Sequence, residues 1–219
     1  MGLFDKVFAH SSNDTGYENV LGRYYRLDDL QPVFCGNSGV TLSPLGGAQI
    51  MDKHYPTIIS AMWEDSPHIK QFFPAMDFSS EKRVLVFMMA AYKITELGSK
   101  FTYVITVNHI PAGMFIITTP YFNHKAFGYN HWTMDFFLFA FFEGKGVMSI
   151  ALPRMLMLLK SVGVEDIRLI VDAHNDRCLN LLKKLPLEEI DNSNWHHETN
   201  GQKPIVFNCP LSSISFQIR

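Results

Sequence analysis

Cysteine is scarce and unpatterned. Cys35, Cys178 and Cys209 are the only three in 219 residues, and no CxxC pair occurs. A disulfide framework and a cysteine zinc site are therefore not indicated, and a reducing cytoplasm is the expected compartment. Neither sign of charge is in excess. With a formal net charge of −2, no overall field draws the chain to nucleic acid or to an anionic membrane, so neither is an expected partner. Long apolar runs are also missing. Met134 to Phe142 is too short to span a bilayer, and Pro153 and Arg154 interrupt Val147 to Leu159. No apolar stretch follows basic residues near Met1, so no signal peptide is expected. Lys6 stands where an N-myristoylation pattern after Gly2 needs Ser or Thr. No fixed-period repeat or low-complexity tract is present. His196 and His197 are adjacent, which in a strand sends their side chains apart. No thiol or carboxylate set at zinc spacing accompanies them, so no metal is expected.

What the chain does contain is 47% hydrophobic and 13% aromatic residues, the composition of a globular protein. Residues 1–39 read as an N-terminal extension, in which Asn19 to Leu30 could be a short helix or strand. The turn signal Gly36-Asn37-Ser38-Gly39 closes it. Val40 to Leu45 then reads as a strand. Helices follow over His54 to Trp63, from Pro67 with Ser66 as cap, and over Arg83 to Leu97 behind a cap within Ser79-Ser80-Glu81 and ahead of Gly98. Val84, Leu85, Phe87, Met88, Ala91 and Ile94 form the expected inner side of the last. Phe101 to Val107 and Ala112 to Thr118 form a hairpin, and Pro120 to Asn130 reads as an aromatic loop. Val147 to Val162 is a helix, with Ile150, Leu152, Leu156 and Leu159 inward. Pro153 inside it should cost a hydrogen bond and kink it. A buried strand over Ile167 to Val171, a helix over Asn175 to Leu185 and strands over Leu187 to Ile190 and Ile205 to Asn208 complete the chain. A polar loop with Trp195, His196, His197 and Gly201 separates those last strands.

The organising stretch runs from His131 to Ile150. Its apolar run carries one charge, Asp135, then breaks into Gly144-Lys145-Gly146 and resumes with helical spacing. Strand, glycine bend and helix in that order present free N–H groups at a helix start, with no Cβ in the way. That is a ready site for a phosphate. The bland reading of such a bend is a tight connection and nothing more.

Phe142-Glu143-Gly144-Lys145-Gly146-Val147-Met148 resembles the Q/R-x-x-G-x-G/A signature of the GNAT N-acetyltransferase superfamily. Further on, Asn175-Asp176-Arg177-Cys178-Leu179-Asn180-Leu181-Leu182-Lys183-Lys184-Leu185 resembles the N-x-x-S-x-x-L-x-x-K-L-G-F run of its RimJ/RimL-like branch. The resemblance covers residues 40 to 215. It implies a mixed α/β fold over 40–219, with a mostly antiparallel central sheet flanked by helices. In that fold the fourth and fifth strands, here Trp132 to Phe142 and Ile167 to Ala173, are parallel and splayed. The implied activity is direct transfer of an acetyl group from acetyl-CoA to an amine, either a protein N-terminus or a small molecule. The implied assembly is a monomer or homodimer.

The resemblance also implies site residues. The pantetheine arm would pair with the backbones of Phe137, Leu138 and Phe139. The pyrophosphate would sit on the N–H groups of Glu143, Gly144, Lys145, Gly146, Val147 and Met148, with Asn175 bonding the arm from the far side. Tyr121, His124, His131 and Thr133 border the acceptor channel. Two residues depart from the signature: Glu143 replaces Arg or Gln, and Met148 replaces Gly or Ala. Thr133 stands where the branch often has Glu. Asp135, two residues on and so on the same strand face, is read either as a displaced general base or amine-binding group, or as an acid paired with a neighbouring Arg or Lys. Cys178 matches the family's Ser and is read either as an acid for the departing thiolate or as a small space-filler. A CoA-binding sensor without turnover is the alternative function. A nucleotide-phosphate binder is weaker, because GxxxxGK[ST] and G-x-G-x-x-G are both absent.

Overall fold

The computed structural model describes residues 31–128, 130–191 and 203–214. The strands are β1 (Val33–Phe34), β2 (Val40–Pro44), β3 (Lys100–Val107), β4 (Ile110–Thr118), β5 (Thr133–Leu138), β6 (Asp166–Val171), β7 (Glu188–Ile190) and β8 (Ile205–Pro210). The helices are α1 (Gly47–Met51), α2 (His54–Glu64), α3 (Pro67–Phe72), α4 (Glu81–Glu96), α5 (Pro120–Phe127), α6 (Val147–Ser161) and α7 (Asp176–Leu182). The strands form one eight-stranded sheet in the order β1-β2-β3-β4-β5-β6-β8-β7. Neighbours are antiparallel, apart from the parallel pair β5/β6. The sheet begins before Val40, since Val33 and Phe34 already pair with Leu42 and Thr41. Asn19 to Leu30, Trp195, His196, His197 and Gly201 lie outside the described residues.

Local chemistry explains most boundaries. Ser80 Oγ accepts from Arg83 N–H at 3.4 Å and starts α4. The helix ends ahead of Gly98, which takes the left-handed conformation at φ 66. Along α6, Ala151, Leu152, Met155, Leu156 and Leu159 fall on one buried stripe. Together with Ile59 and Met88 they pack against Leu42, Ile105, Met114 and Phe115 of the sheet in one continuous core. Leu85 and Ile150, expected inward, lie on exposed faces. Pro153 sits inside α6 and removes one helix donor. Nothing in the structure explains why a proline stands there.

Three expectations are corrected. The expected loop Pro120 to Asn130 contains helix α5. Thr119 caps it by accepting from Phe122 N–H at 3.3 Å, Pro120 opens it, and Gly128 ends it in the left-handed conformation. The central strand ends at Leu138 rather than running to Phe142, because residues Ala140–Phe142 form a 3-10 turn. Ser66 is likewise no side-chain cap for α3. Its hydroxyl donates to Met62 C=O at 2.7 Å and accepts from Ala140 N–H at 2.9 Å, which ties the start of α3 to the chain leaving β5.

Gly113 is required by close approach. A Cβ there would collide with the Phe137 carbonyl oxygen and lie 3.0 Å from Leu138 Cα, both on the neighbouring strand. Gly113→Ala is expected to destabilise the protein by about 2–3 kcal/mol through overpacking, measured by urea denaturation. Gly47→Ala, where a Cβ meets nothing within 4 Å, should leave the midpoint near the parent value.

Candidate active site

The site begins at the parallel pair. β5 pairs with β4 along its whole length, from Gly113 opposite Leu138 to Thr118 opposite Thr133. On its other side it meets β6 in one register pair, Thr133 opposite Arg168, where Arg168 N–H donates to Trp132 C=O at 2.8 Å. Beyond that bridge the strands part. Strand alternation fixes which groups are left facing the gap. Phe139 N–H donates to Ala112 C=O at 2.9 Å, so the odd-numbered backbone groups of β5 turn toward β4. The even-numbered ones, on Met134, Phe136 and Leu138, turn toward β6 and the opening. Of the three backbones expected to receive an extended ligand, Phe137 and Phe139 therefore face β4 and only Leu138 faces the gap. His68 Nε2 lies 3.1 Å from the Leu138 carbonyl.

A cavity of about 310 Å³ fills the opening. Thr133 and Asp135 of β5, Leu169 to Val171 of β6, and Asn175 and Cys178 of the α7 segment line it. Phe72 and Phe73 close it from the α3 side, and Lys100, Thr118, Asn123 and Phe127 close the end under α5. Four expected residues, Thr133, Asp135, Asn175 and Cys178, are thus brought to one wall. Tyr121 and His131 are not on it. Tyr121 carries the Lys125 ammonium 6.0 Å from its ring, and the His131 carbonyl accepts from Asn123 Nδ2 at 2.6 Å. Asn123 Nδ2 also donates to Thr133 Oγ1 at 3.1 Å, so α5 orients the Thr133 hydroxyl.

The ionisable groups on the wall are perturbed by their surroundings. Asp135 keeps some contact with the cavity, but protein surrounds it deeply. Burial raises its pKa above the usual carboxylate value, and the charge of Lys100 partly opposes the rise. Burial lowers the Lys100 pKa, with Asp135 opposing. The Cys178 thiol is pushed up to about 12 by burial. Such a thiol stays protonated, and passing its proton to an ordinary thiolate is uphill, so it can donate a hydrogen bond but is a poor acid. Asn175 Oδ1 caps α7 by accepting from Cys178 N–H at 3.1 Å.

The glycine bend lies at the end of the gap. Gly144 and Gly146 have φ of 68 and 77, and a Cβ on either meets nothing within 4 Å. Gly144, Lys145 and Gly146 are exposed, and no side chain caps the start of α6. Its first N–H groups thus carry the partial positive charge of an uncapped helix end. Both departures from the signature are accommodated. Val147 and Met148 turn into the core. Glu143 is gripped from both sides, by His68 Nε2 of α3 at 2.8 Å from Oε1 and by Arg177 Nη1 of α7 on Oε2.

Sequence reasoning missed Lys100, Asn123, His68 and Arg177. Lys100 directly precedes the apolar run taken as the first hairpin strand, and Asn123 lay in the supposed loop. His68 and Arg177 meet Glu143 only through the tertiary fold.

Comparison with solved structures gives a consistent answer. The RimJ of Mycobacterium smegmatis in complex with CoA-disulfide superposes with a TM-score of 0.64 at 13% identity, covering 81% of this chain and 85% of that one. The chain has the fold of the GNAT acetyltransferases. A RimL ribosomal L7/L12 α-N-protein acetyltransferase in complex with coenzyme A gives 0.63 at 12% identity over 81% of this chain and 96% of that one. The microcin C7 self-immunity acetyltransferase MccE, in complex with acetyl-CoA and AMP, gives 0.60 at 14% identity over 80% and 93%. No family model and no curated protein matches the sequence. In GNAT terms, β5 and β6 are the fold's splayed central pair. Among the described residues no helix is long and apolar enough to cross a membrane, and no group of three His, Cys, Asp or Glu side chains could hold a metal ion.

Asn123 is buried and serves both the His131 carbonyl and the Thr133 hydroxyl. Asn123→Ala leaves both without that donor. It should cost about 2 kcal/mol, read as a lower urea midpoint.

Proposed function

We propose that this chain is an N-acetyltransferase that moves an acetyl group from acetyl-CoA directly to a primary amine. The observation that carries the reading is the opened β5/β6 pair, with Asp135 on its wall and the uncapped start of α6 at its end. The unpaired edge of β5 suits a peptide-like arm, which can satisfy backbone groups that a neighbouring strand does not. The N–H groups of Val147, Met148 and the residues of the bend suit a diphosphate. Glu143 does not oppose an anion there, because His68 and Arg177 engage its carboxylate. When bound, acetyl-CoA supplies the acetyl group as a thioester.

In this reading Asp135 takes one proton from the bound ammonium, which frees the nitrogen lone pair for attack. Burial makes it a stronger base than a surface carboxylate. The new C–N bond replaces the C–S bond, the sulfur leaves with the electron pair, and the second proton shed by the nitrogen as the amide forms neutralises it as the thiol. Cys178 keeps its proton and donates a hydrogen bond in that region, and the amide of Asn175 remains available to the pantetheine arm. Thr133, held by Asn123, helps position the amine. No metal enters the reaction. Free Cys35, Cys178 and Cys209 suit a reducing cytoplasm. A second reading, a CoA-binding sensor without turnover, is favoured by the uncharged Thr133 where the branch often has Glu.

Binding is tested by thermal unfolding. Acetyl-CoA at a hundredfold excess over Kd should add about 2.7 kcal/mol of stability, or roughly 5–10 °C for a chain of this size, and ATP should add nothing. Gly146→Trp should abolish the shift, because its side chain occupies the open space over the bend. An undiminished shift would sink the loop assignment.

Turnover is tested by thiol release with an amine panel. Asp135→Asn should lower kcat/KM by ~10²–10⁴-fold, as loss of a general base does. Only the ionised carboxyl is active, so the parent rate should rise with pH through a midpoint above the usual carboxylate range. The variant should lose that limb. An unaltered profile removes Asp135 from the chemistry, and binding without release across the whole panel favours the sensor.

A further inference from the structure

The acceptor end of the cavity holds a cation as well as an acid. Lys100 opens β3 opposite Thr118, which in turn stands opposite Thr133, so the side chains of this row share the sheet face of Asp135. With strands about 4.8 Å apart and a rise of about 3.3 Å per residue, the Lys100 and Asp135 Cα atoms lie roughly 12 Å apart. Both side chains reach the cavity. Among the described residues they form no direct ion pair with each other, although each charge acts on the other across the space. The Lys100 ammonium lies 4.3 Å from the centre of the Phe122 ring, a contact that holds a cation without neutralising it. Asp172, the other carboxylate on the wall, is committed elsewhere: its Oδ1 accepts from His174 N–H at 2.8 Å and lies 3.2 Å from His174 Nδ1.

We infer that the acceptor is a small zwitterion of the α-amino acid class, its ammonium directed to Asp135 and its carboxylate to Lys100. The inference rests on the acetyltransferase reading and deepens it by naming the substrate class. Charge conservation carries it. The empty pair is neutral overall. A simple ammonium would place a second cation beside one carboxylate, whereas a zwitterion keeps the site neutral. The constraint tightens during reaction. Once Asp135 takes the proton from the amine it is uncharged, and Lys100 would be a buried cation without a counter-charge, which is costly. The acceptor's own carboxylate supplies that counter-charge. A peptide N-terminus cannot, since a neutral amide stands where the free amino acid has its carboxylate. The cavity of about 310 Å³ must also admit the end of the pantetheine arm, so the room left for an acceptor is small.

The test measures kcat/KM with acetyl-CoA for the standard amino acids, for the matching decarboxylated amines, and for peptides that begin with the same residues. At least one amino acid should exceed both its decarboxylated amine and its peptide by roughly 10²-fold or more, because loss of the carboxylate leaves a buried group unpaired. Lys100→Met should bring that ratio to about one, and Lys100→Arg, which keeps the cation, should preserve a preference. Circular dichroism reports whether each variant is folded, and the parent ratio decides the matter if Lys100→Met is not. Amines or peptides acetylated as well as amino acids would overturn the inference while leaving the transferase reading intact. So would acetyl-CoA binding with no amino acid acetylated. Absence of acetyl-CoA binding would remove both.

Discussion

Arg168 N–H donates to the Trp132 carbonyl at 2.8 Å, and this bridge is where β5 and β6 meet in register. A parallel pair zipped along its length would have gone on to bond the edge groups of Phe136 and Leu138 and left no cavity. Several contacts keep the far end of β5 directed elsewhere. Phe139 N–H is taken by Ala112, Ala140 N–H by the Ser66 hydroxyl, and the Leu138 carbonyl by His68. Phe73 of the α3 segment packs tilted against Phe137, with ring centroids 5.4 Å apart, and with Phe72 it lines the cavity. The gap is therefore a packed feature with its own hydrogen bonds and not a frayed edge.

Electrostatics follows from that geometry. The opening gives Asp135 and Lys100 a shared, largely desolvated space, which shifts each toward its uncharged form while their mutual attraction resists. Such groups lower stability relative to apolar substitutes and persist where chemistry needs them. The outer end of the gap has the opposite design. Glu143 ties α3 to α7 through His68 and Arg177, across the mouth between the two halves of the sheet. Its charge is thereby compensated, so it does not cancel the partial positive charge of the bare N–H groups at the start of α6.

Much of this was legible in the chain. The α6 stripe, the Gly144-Lys145-Gly146 bend and the buried β6 run announce themselves through local spacing, and the bend together with the Asn175 to Leu185 run carries the resemblance to the GNAT superfamily. Asp135 was legible as the lone charge in an apolar run. Helix α5 was missed although its signals are present in Thr119-Pro120 and Gly128, because aromatic and basic residues between them obscured the period. The end of β5 at Leu138 was missed because Phe139, Phe141 and Phe142 continue the apolar run while the backbone turns. The partnerships of Lys100 with Asp135 and of Glu143 with His68 and Arg177 join residues far apart in sequence, and single-sequence periodicity holds no information about them. Met148 shows the limit from another side: its departure from the signature is legible, but the direction of its side chain, into the core, is a property of packing.

The central claim is that one extended ligand lies along the free edge of β5 with its anionic end on the start of α6. Amide hydrogen exchange with and without acetyl-CoA tests it at the level of single residues. Added acetyl-CoA should slow exchange at the Phe136 and Leu138 amides and at Val147 and Met148, and leave Phe137 and Phe139, which face β4, nearly unchanged. Protection confined to other segments, or none along β5 at a saturating concentration, would contradict the account.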